Sequence, residues 1–479
     1  MINVKRNISV YEKAIRQPFV MTLNSKGAPR LLRWAVIFIV FGVTFPIYGT
    51  PNIMGIARLT FFRLGLIVLL ISISSYHIKL HSVLSDRCIK LLVLLLAIRF
   101  LSLLISPAFK DGIQQLEWYF EGVICLIFLS SAICRWPALR DFLFTKIVQF
   151  GFVAALLMVF QFVLLNRGIL WALPLSTTAW GRGNDPTNWY PLGVSYRILG
   201  PFFDANMSGS FMVLFICLIL PLLLSTKKGR LKAAIIALIA FISINASGSR
   251  QSLVTLGIIL LFNIIIIRHK RSLATLLLIA LMTITISFAL YSVSFRELME
   301  NRNPYEGNAI TRLVNVFRTS SFLSGAGRGD YIKRLLHSID WGSAILLGSG
   351  EGSGDWAAHN AYLIVLQENG LWATLCLLFF SLLMFAKTLK NAAISMKVRQ
   401  PDYLAIAASS IVLAWIFLIT MNWAQLNQSF PWVFLSLAFT SFKLNALRYA
   451  RSNQPPNIQD IPHLNVQSEE GSSIKSLER

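Results

Sequence analysis

Charge is scarce in this chain, and acidic charge scarcest of all. Of 479 residues only 14% are charged, and 44 Lys and Arg stand against 21 Asp and Glu. With 55% of residues hydrophobic and a mean hydropathy of +0.63, too little polar surface exists to cover a soluble domain, so the expected class is an integral membrane protein. Cysteine is sparse as well. Cys88, Cys125, Cys134, Cys217 and Cys376 fall in or beside apolar runs without disulfide or metal-ligand spacing, which excludes a disulfide scaffold and leaves small core residues. No cleavage site of small residues follows the first apolar run, and about thirty polar and basic residues precede it, so that run is expected to persist as a helix.

What is abundant is apolar length. Runs of bilayer-crossing size, roughly 17–25 residues each, occur near 31–49, 56–76, 88–107, 117–135, 143–166, 205–225, 231–247, 250–268, 272–294, 358–387, 402–423 and 427–447. They predict an all-α protein of about twelve transmembrane helices, with 31–447 as one membrane domain. Residues 1–30 read as a basic cytoplasmic tail, and 448–479, polar with Pro and Ser, as a disordered one. With the N-terminus inside, the turns His77–Arg87, Arg135–Arg140, Thr226–Arg230, Arg268–Arg271 and Lys387–Arg399 are cytoplasmic, and nearly all are rich in Lys and Arg, as the positive-inside rule requires. The opposite turns at 50–55 and 423–428 carry neither. The net charge of +23 thus needs no nucleic-acid partner; cytoplasmic retention and an anionic ligand both account for it.

Two outer segments break the charge rule. One, about 167–204, holds Arg182 and Arg197 among Trp171, Trp180, Trp189 and Tyr190. The other, about 295–357 and just before the tenth span, holds Arg296, Arg302, Arg312, Arg318, Arg328, Lys333 and Arg334, and its apolar spacing predicts partly helical stretches lying on the membrane. Long loops translocate whatever their charge, so these are either solvated basic loops or surfaces facing an anion. Arg250 follows Ser247-Gly248-Ser249 in a very short outer turn, where it either faces a cavity or snorkels to the interface. Asp204 and Asn206 are expected to cap the helix that follows.

His359 and Asn360 stand where the second outer segment meets an apolar run ending past Gly370. Histidine there suits a general base, because its pKa lies near working pH, although a helix start also uses His and Asn structurally. Glu117 and Glu121 share one helix face and are expected to pair with Arg58, Arg63 or Arg99 rather than act as acid and base. The run from Leu347 to Gly354 lacks the Gly-Lys-Ser/Thr ending of a nucleotide loop, and is expected to be a mobile loop over substrate.

Taken in order, these features resemble the O-antigen ligase and polymerase superfamily of bacterial inner-membrane glycosyltransferases. The resemblance rests on Arg197 with Gly200-Pro201-Phe202 and Asn206, then Ser247-Gly248-Ser249-Arg250, then Gly327-Arg328, Leu347-Gly348-Ser349-Gly350 and His359-Asn360 before Gly370. It covers about 197–373; Ala373 departs from the ligase pattern at its position. The resemblance implies a donor glycan linked to undecaprenyl pyrophosphate, bound by Arg197, Arg250 and Arg328. It implies that His359 activates an acceptor sugar hydroxyl, on a repeat unit or a lipid A core, with inversion and without cofactor or metal. Asn360 and Asn206, and apart from the resemblance Glu117 and Glu121, are candidate supporting residues. Both termini would be cytoplasmic, the active site periplasmic, and a chain-length co-polymerase a possible partner. The sequence likewise offers no outer cluster of carboxylates for Mg²⁺. The rival class is a flippase for lipid-linked oligosaccharides, which also needs a basic cavity, but no internal repeat is evident in the sequence.

Overall fold

A computed structural model describes residues 27–46, 60–166, 198, 200–202, 205–225, 230–266, 336–337, 339, 341–354, 360–396, 402–422 and 424–452. Among these residues every regular element is helical. Eleven helices have fifteen residues or more: α1 (Arg30–Thr44), α2 (Phe61–Ser75), α3 (Arg87–Leu104), α4 (Phe109–Arg135), α5 (Ala138–Asn166), α6 (Ala205–Ser225), α7 (Arg230–Ala246), α8 (Arg250–Ile266), α9 (Ala361–Ser395), α10 (Tyr403–Met421) and α11 (Ser429–Ser452). By length and composition α4, α5, α9 and α10 are able to cross a membrane. The protein is therefore a helical membrane protein. The expected span at 272–294, the basic segment 167–197 and the tails 1–26 and 453–479 lie outside the described residues.

Three of the helices begin where the chain supplies a side-chain acceptor. Thr60 Oγ1 accepts from the Arg63 N–H at 3.2 Å, Asp86 Oδ1 from Cys88 at 2.9 Å and Asp402 Oδ1 from Leu404 at 3.1 Å. Hydroxyls inside the bundle avoid the cost of burial by bonding to the carbonyl one turn back, as Ser131 does to Ile127 at 2.8 Å and Ser436 to Trp432 at 2.8 Å. Small residues let helices approach: a Cβ on Gly42 would meet the Phe62 backbone, and one on Gly65 would lie 2.7 Å from Ile39 N, so α1 and α2 pack nearly backbone to backbone. Outward, Leu70, Ile71, Leu94, Phe160, Leu261, Phe379 and Leu382 are exposed, a surface suited to lipid chains rather than water.

Polar contacts sort the helix ends into two sets. At one end the start of α3 meets the ends of α9 and α11: Asp86 pairs with Lys387 at 2.7 Å and Lys443 at 3.7 Å. Arg140 at the start of α5 lies 3.7 Å from Asp402 at the start of α10, and the Ser395 hydroxyl accepts from the Asp402 N–H at 2.5 Å. At the other end Arg63 joins Glu117 and Glu121, the end of α3 meets residues 347–354, and Ile198 meets the end of α7.

One element departs from its expected form. The apolar run predicted as a single span at 358–387 is a helical hairpin. The Tyr362 hydroxyl donates to Ser381 Oγ at 3.1 Å across 19 residues, whereas a straight helix would hold these residues about 28 Å apart. The reversal falls at Gly370, with φ 82° and ψ −179°, a conformation only glycine adopts readily. A Cβ there would meet the carbonyl oxygens of Leu346 and Ala344. A short arm, 361–369, thus folds back on a long limb, 371–395, and the limb alone exceeds the roughly 20 residues that a span requires.

Two outcomes follow from this arrangement. Cysteines replacing Tyr362 and Ser381, with the five native cysteines removed, are expected to be joined by a short bifunctional reagent; absence of the cross-link in correctly inserted protein would mean a straight helix. At the opposite end, burial alone would raise the Asp86 pKa, yet the hydrogen bond and charge of Lys387, with Lys443 and the Cys88 N–H, hold it below its ordinary 3.8. Its ionised form therefore stabilises the fold above that value, and the stabilisation is lost as pH falls through the lower folded pKa. Thermal unfolding of Asp86→Asn should lie below wild type at neutral pH, and the gap should close below about pH 4.

Candidate functional site

The most constrained polar structure lies where the hairpin arm meets the α3–α4 turn and the glycine-rich loop. Asn360, in extended conformation, caps the arm by accepting from the Leu363 N–H at 3.1 Å. Ala361, Ile364, Val365 and Glu368 then fall on one buried face at helical spacing. At the far end of the arm the last carbonyls have no partner within the helix. The loop and α3 supply them: from the loop the Ser349 N–H donates to Gln367 O at 2.8 Å and the Gly350 N–H to Glu368 O at 3.0 Å, and from α3 the Ser102 hydroxyl donates to Glu368 O at 2.6 Å.

Alternate glycines make that contact possible. Gly348, Gly350 and Gly352 all have positive φ. Gly350 abuts the backbone of Ser106, and a Cβ on Gly352 would lie 2.6 Å from the Gly112 N. The loop is thereby pressed between arm and turn, with Glu351 fully buried at its centre.

Glu351 meets Arg99 of α3 in a two-pronged pair. Arg99 Nε donates to Oε2 at 3.0 Å, and Nη2 bonds Oε1. Asn369 Nδ2 donates to the same Oε2 at 2.7 Å, the Ser106 hydroxyl to Glu351 O at 2.6 Å, and the Arg99 guanidinium lies 4.5 Å from the Tyr119 ring centre. Beside this pair Glu368, only 1% exposed, accepts from the Gly354 N–H at 3.0 Å. The described loop 348–354 is thus an anchored part of the core, which corrects the expectation of a mobile flap. An ion pair sequestered this way keeps its geometry because every alternative leaves a charge stranded among apolar helices.

A second cluster surrounds Arg250, the first residue of α8. The turn before it is held by Ser247 Oγ donating to Ile244 O at 2.6 Å, by Ser249 and Ser252 hydroxyls 2.8 Å apart, and by Gly248 at φ 64°. The first turns of α6 pack on it, since a Cβ on Gly209 would lie 2.5 Å from Ser252 Oγ and 2.9 Å from Ser247 Oγ. Asn206 stands one turn before Gly209 and is the second residue of α6, inside the helix rather than at its cap. The segment after residue 197 reaches the same place: the Ile198 N–H donates to Ala246 O at 3.0 Å, and the Gly200 N–H to Gln161 Oε1 at 2.8 Å.

Glu117 and Glu121 form a third cluster. Both pair with Arg63, at 2.7 and 2.6 Å, so of the three arginines expected to receive them one does and Arg99 does not. An aromatic series of Tyr119, Trp432, Trp415 and Phe380, with ring centres 5.3–6.3 Å apart, runs inward from this region across α4, α11, α10 and α9. Arg197, Arg328 and His359 lie outside the described residues. The structure thus brings the first turns of α6, which contain Asn206, and Ile198 to the turn before Arg250, and separately joins Glu117 and Glu121 to Arg63.

The Arg99–Glu351–Asn369 set is absent from the sequence-based candidates. Two signals pointed to it: an arginine inside an apolar run, and glycines at every second position, the mark of close backbone approach.

No protein-family model matches the chain, and no curated protein matches it.

Removing one member of the buried pair should cost roughly 3–5 kcal/mol, whereas replacing both with apolar residues should cost far less. Thermal unfolding in detergent is expected to place Arg99→Met/Glu351→Leu above either Arg99→Met or Glu351→Leu. A double variant no more stable than the worse single would show that Glu351 matters through Asn369 and the loop instead.

Proposed function

We propose that this protein transfers or polymerises a glycan carried on a lipid pyrophosphate, in the manner of the O-antigen ligase and polymerase superfamily. The observation that carries the reading is the Ile198–Ala246 hydrogen bond of 3.0 Å. It ties the residue following Arg197 to the turn before Arg250, which supports reading the two arginine motifs of the resemblance as one neighbourhood. The reading also draws on the hairpin: a short arm that enters the bundle and turns back is tolerated at membrane depth only where protein or a water-filled cavity surrounds it, and its cap directly follows His359. Consistent with the reading, each of the three clusters includes a contact at a helix end assigned to the outer face by the positive-inside rule.

In the proposed topology about twelve spans place both termini in the cytoplasm of a bacterium and the site at the periplasmic face of the inner membrane. His359 takes the proton of an acceptor sugar hydroxyl as its oxygen attacks the anomeric carbon of the donor. The bond from that carbon to the pyrophosphate oxygen breaks, and the leaving group departs with both bonding electrons. Arg197, Arg250 and Arg328 neutralise its charge through planar, permanently ionised forks. The acceptor is another repeat unit in a polymerase and a lipid A core in a ligase.

The test is transfer from a purified lipid-pyrophosphate donor to labelled acceptor. His359→Ala, inserted at normal level, is expected to lose about 10²–10⁴-fold of the rate, the range typical of a general base. Arg250→Gln should raise the donor concentration needed for half-maximal rate. Undiminished transfer by His359→Ala would reject the mechanism. Movement of the donor across a liposome bilayer with no new glycosidic bond would favour a flippase instead.

A further inference from the structure

Away from the outer clusters, a groove of about 650 Å³ runs between α3 and the long limb of α9. Its floor and walls come from two facing stripes, Arg87, Lys90 and Leu94 on α3 and Phe379, Leu382 and Ala386 on α9. Each set follows the three- and four-residue spacing of one helix face. Leu94, Phe379 and Leu382 are 51–53% exposed, so the apolar part opens directly to the surrounding lipid. From Arg87 to Leu94 the groove extends about 10 Å along the helix, against a hydrocarbon depth of about 15 Å for one leaflet.

One end differs from the rest. Arg87 and Lys90 are both exposed and one helical turn apart at the start of α3. The nearest acid in sequence, Asp86, is already held by Lys387 and Lys443. Neither Arg87 nor Lys90 has a salt bridge among the described residues. An apolar trough that ends on two cations without acids has the shape and charge of a lipid: tail along the trough, phosphate at the cations.

We infer that this groove is a binding site for an anionic glycerophospholipid. An acyl chain lies against Leu94, Phe379 and Leu382, and the phosphodiester is held by Arg87 through two parallel hydrogen bonds and by Lys90 as a point charge. Net negative charge is what selects the occupant. A zwitterionic lipid brings an ammonium group toward the same two cations and gains less. The site lies at the end of the bundle opposite Arg250 and the hairpin arm, so it is independent of the proposed transferase reaction.

The probe is a nanodisc of equimolar phosphatidylglycerol and phosphatidylethanolamine. Protein released into mild detergent is analysed by native mass spectrometry for retained lipid. Wild type is expected to retain phosphatidylglycerol preferentially, and Arg87→Gln/Lys90→Gln to lower the retained ratio by about fivefold or more, in line with the attraction of each basic residue to anionic lipid. Ala386→Trp fills the trough while keeping both cations, and should lower it similarly. Equal retention of the two lipids by wild type overturns the proposal, as does an unchanged ratio in the charge variant. Loss in the charge variant with full retention in Ala386→Trp also overturns it, because the lipid would then sit elsewhere. Should the charge variant fail to insert, Ala386→Trp alone decides between these outcomes.

Discussion

The pairing of Arg99 with Glu351 sets the terms for much of the rest. A guanidinium within an apolar helix is expensive unless a carboxylate meets it with good geometry, and here the carboxylate comes from a loop 252 residues away. Bringing Glu351 that deep obliges the loop to lie flat between two backbones, which is why glycine recurs at 348, 350 and 352. The flattened loop in turn offers its N–H groups to the carbonyls at the end of the arm, and so lets the arm stop at Gly370 instead of running on. Charge, loop shape and helix reversal are one linked solution.

That linkage explains what could be read in advance. Each helix expected within the described residues exists, because a long apolar run leaves a backbone few alternatives to helix in lipid. Boundaries shifted where polar residues continue the helix: α4 starts at Phe109, not near 117, and carries Lys110, Asp111 and Gln114 in its first turns. That Glu117 and Glu121 pair with an arginine was legible, since i and i+4 define a face and few cations lie within reach, but the choice of Arg63 over Arg58 and Arg99 was not. The hairpin was not. Hydropathy is blind to a single glycine, and 358–387 scores as one continuous run whether or not the chain turns at Gly370. The dipeptide Asn369-Gly370, a turn signal anywhere else, was the available sign. Nor can periodicity connect Arg99 to Glu351, because long-range pairs leave no local trace.

The end of the bundle that carries Arg250 is consequently built from parts of differing exposure. The turn before Arg250 is braced by serines and by the close approach of α6, where Gly209 leaves no room between the helices. Arg63 and its two carboxylates are partly exposed, and the two acids share that one cation.

The alternating glycines also have a consequence for how the chain can change over time. Between Gly348 and Gly354 successive positions play distinct parts, with backbone contact at 350 and 352, charge at 351, and a hydroxyl at 349 and 353. Lengthening the stretch by one residue would exchange those parts, turning a side chain toward the Ser106 backbone and withdrawing the carboxylate from Arg99. Loops normally absorb insertions without effect. This one is a ruler, and its length is as restricted as the composition of any helix it touches.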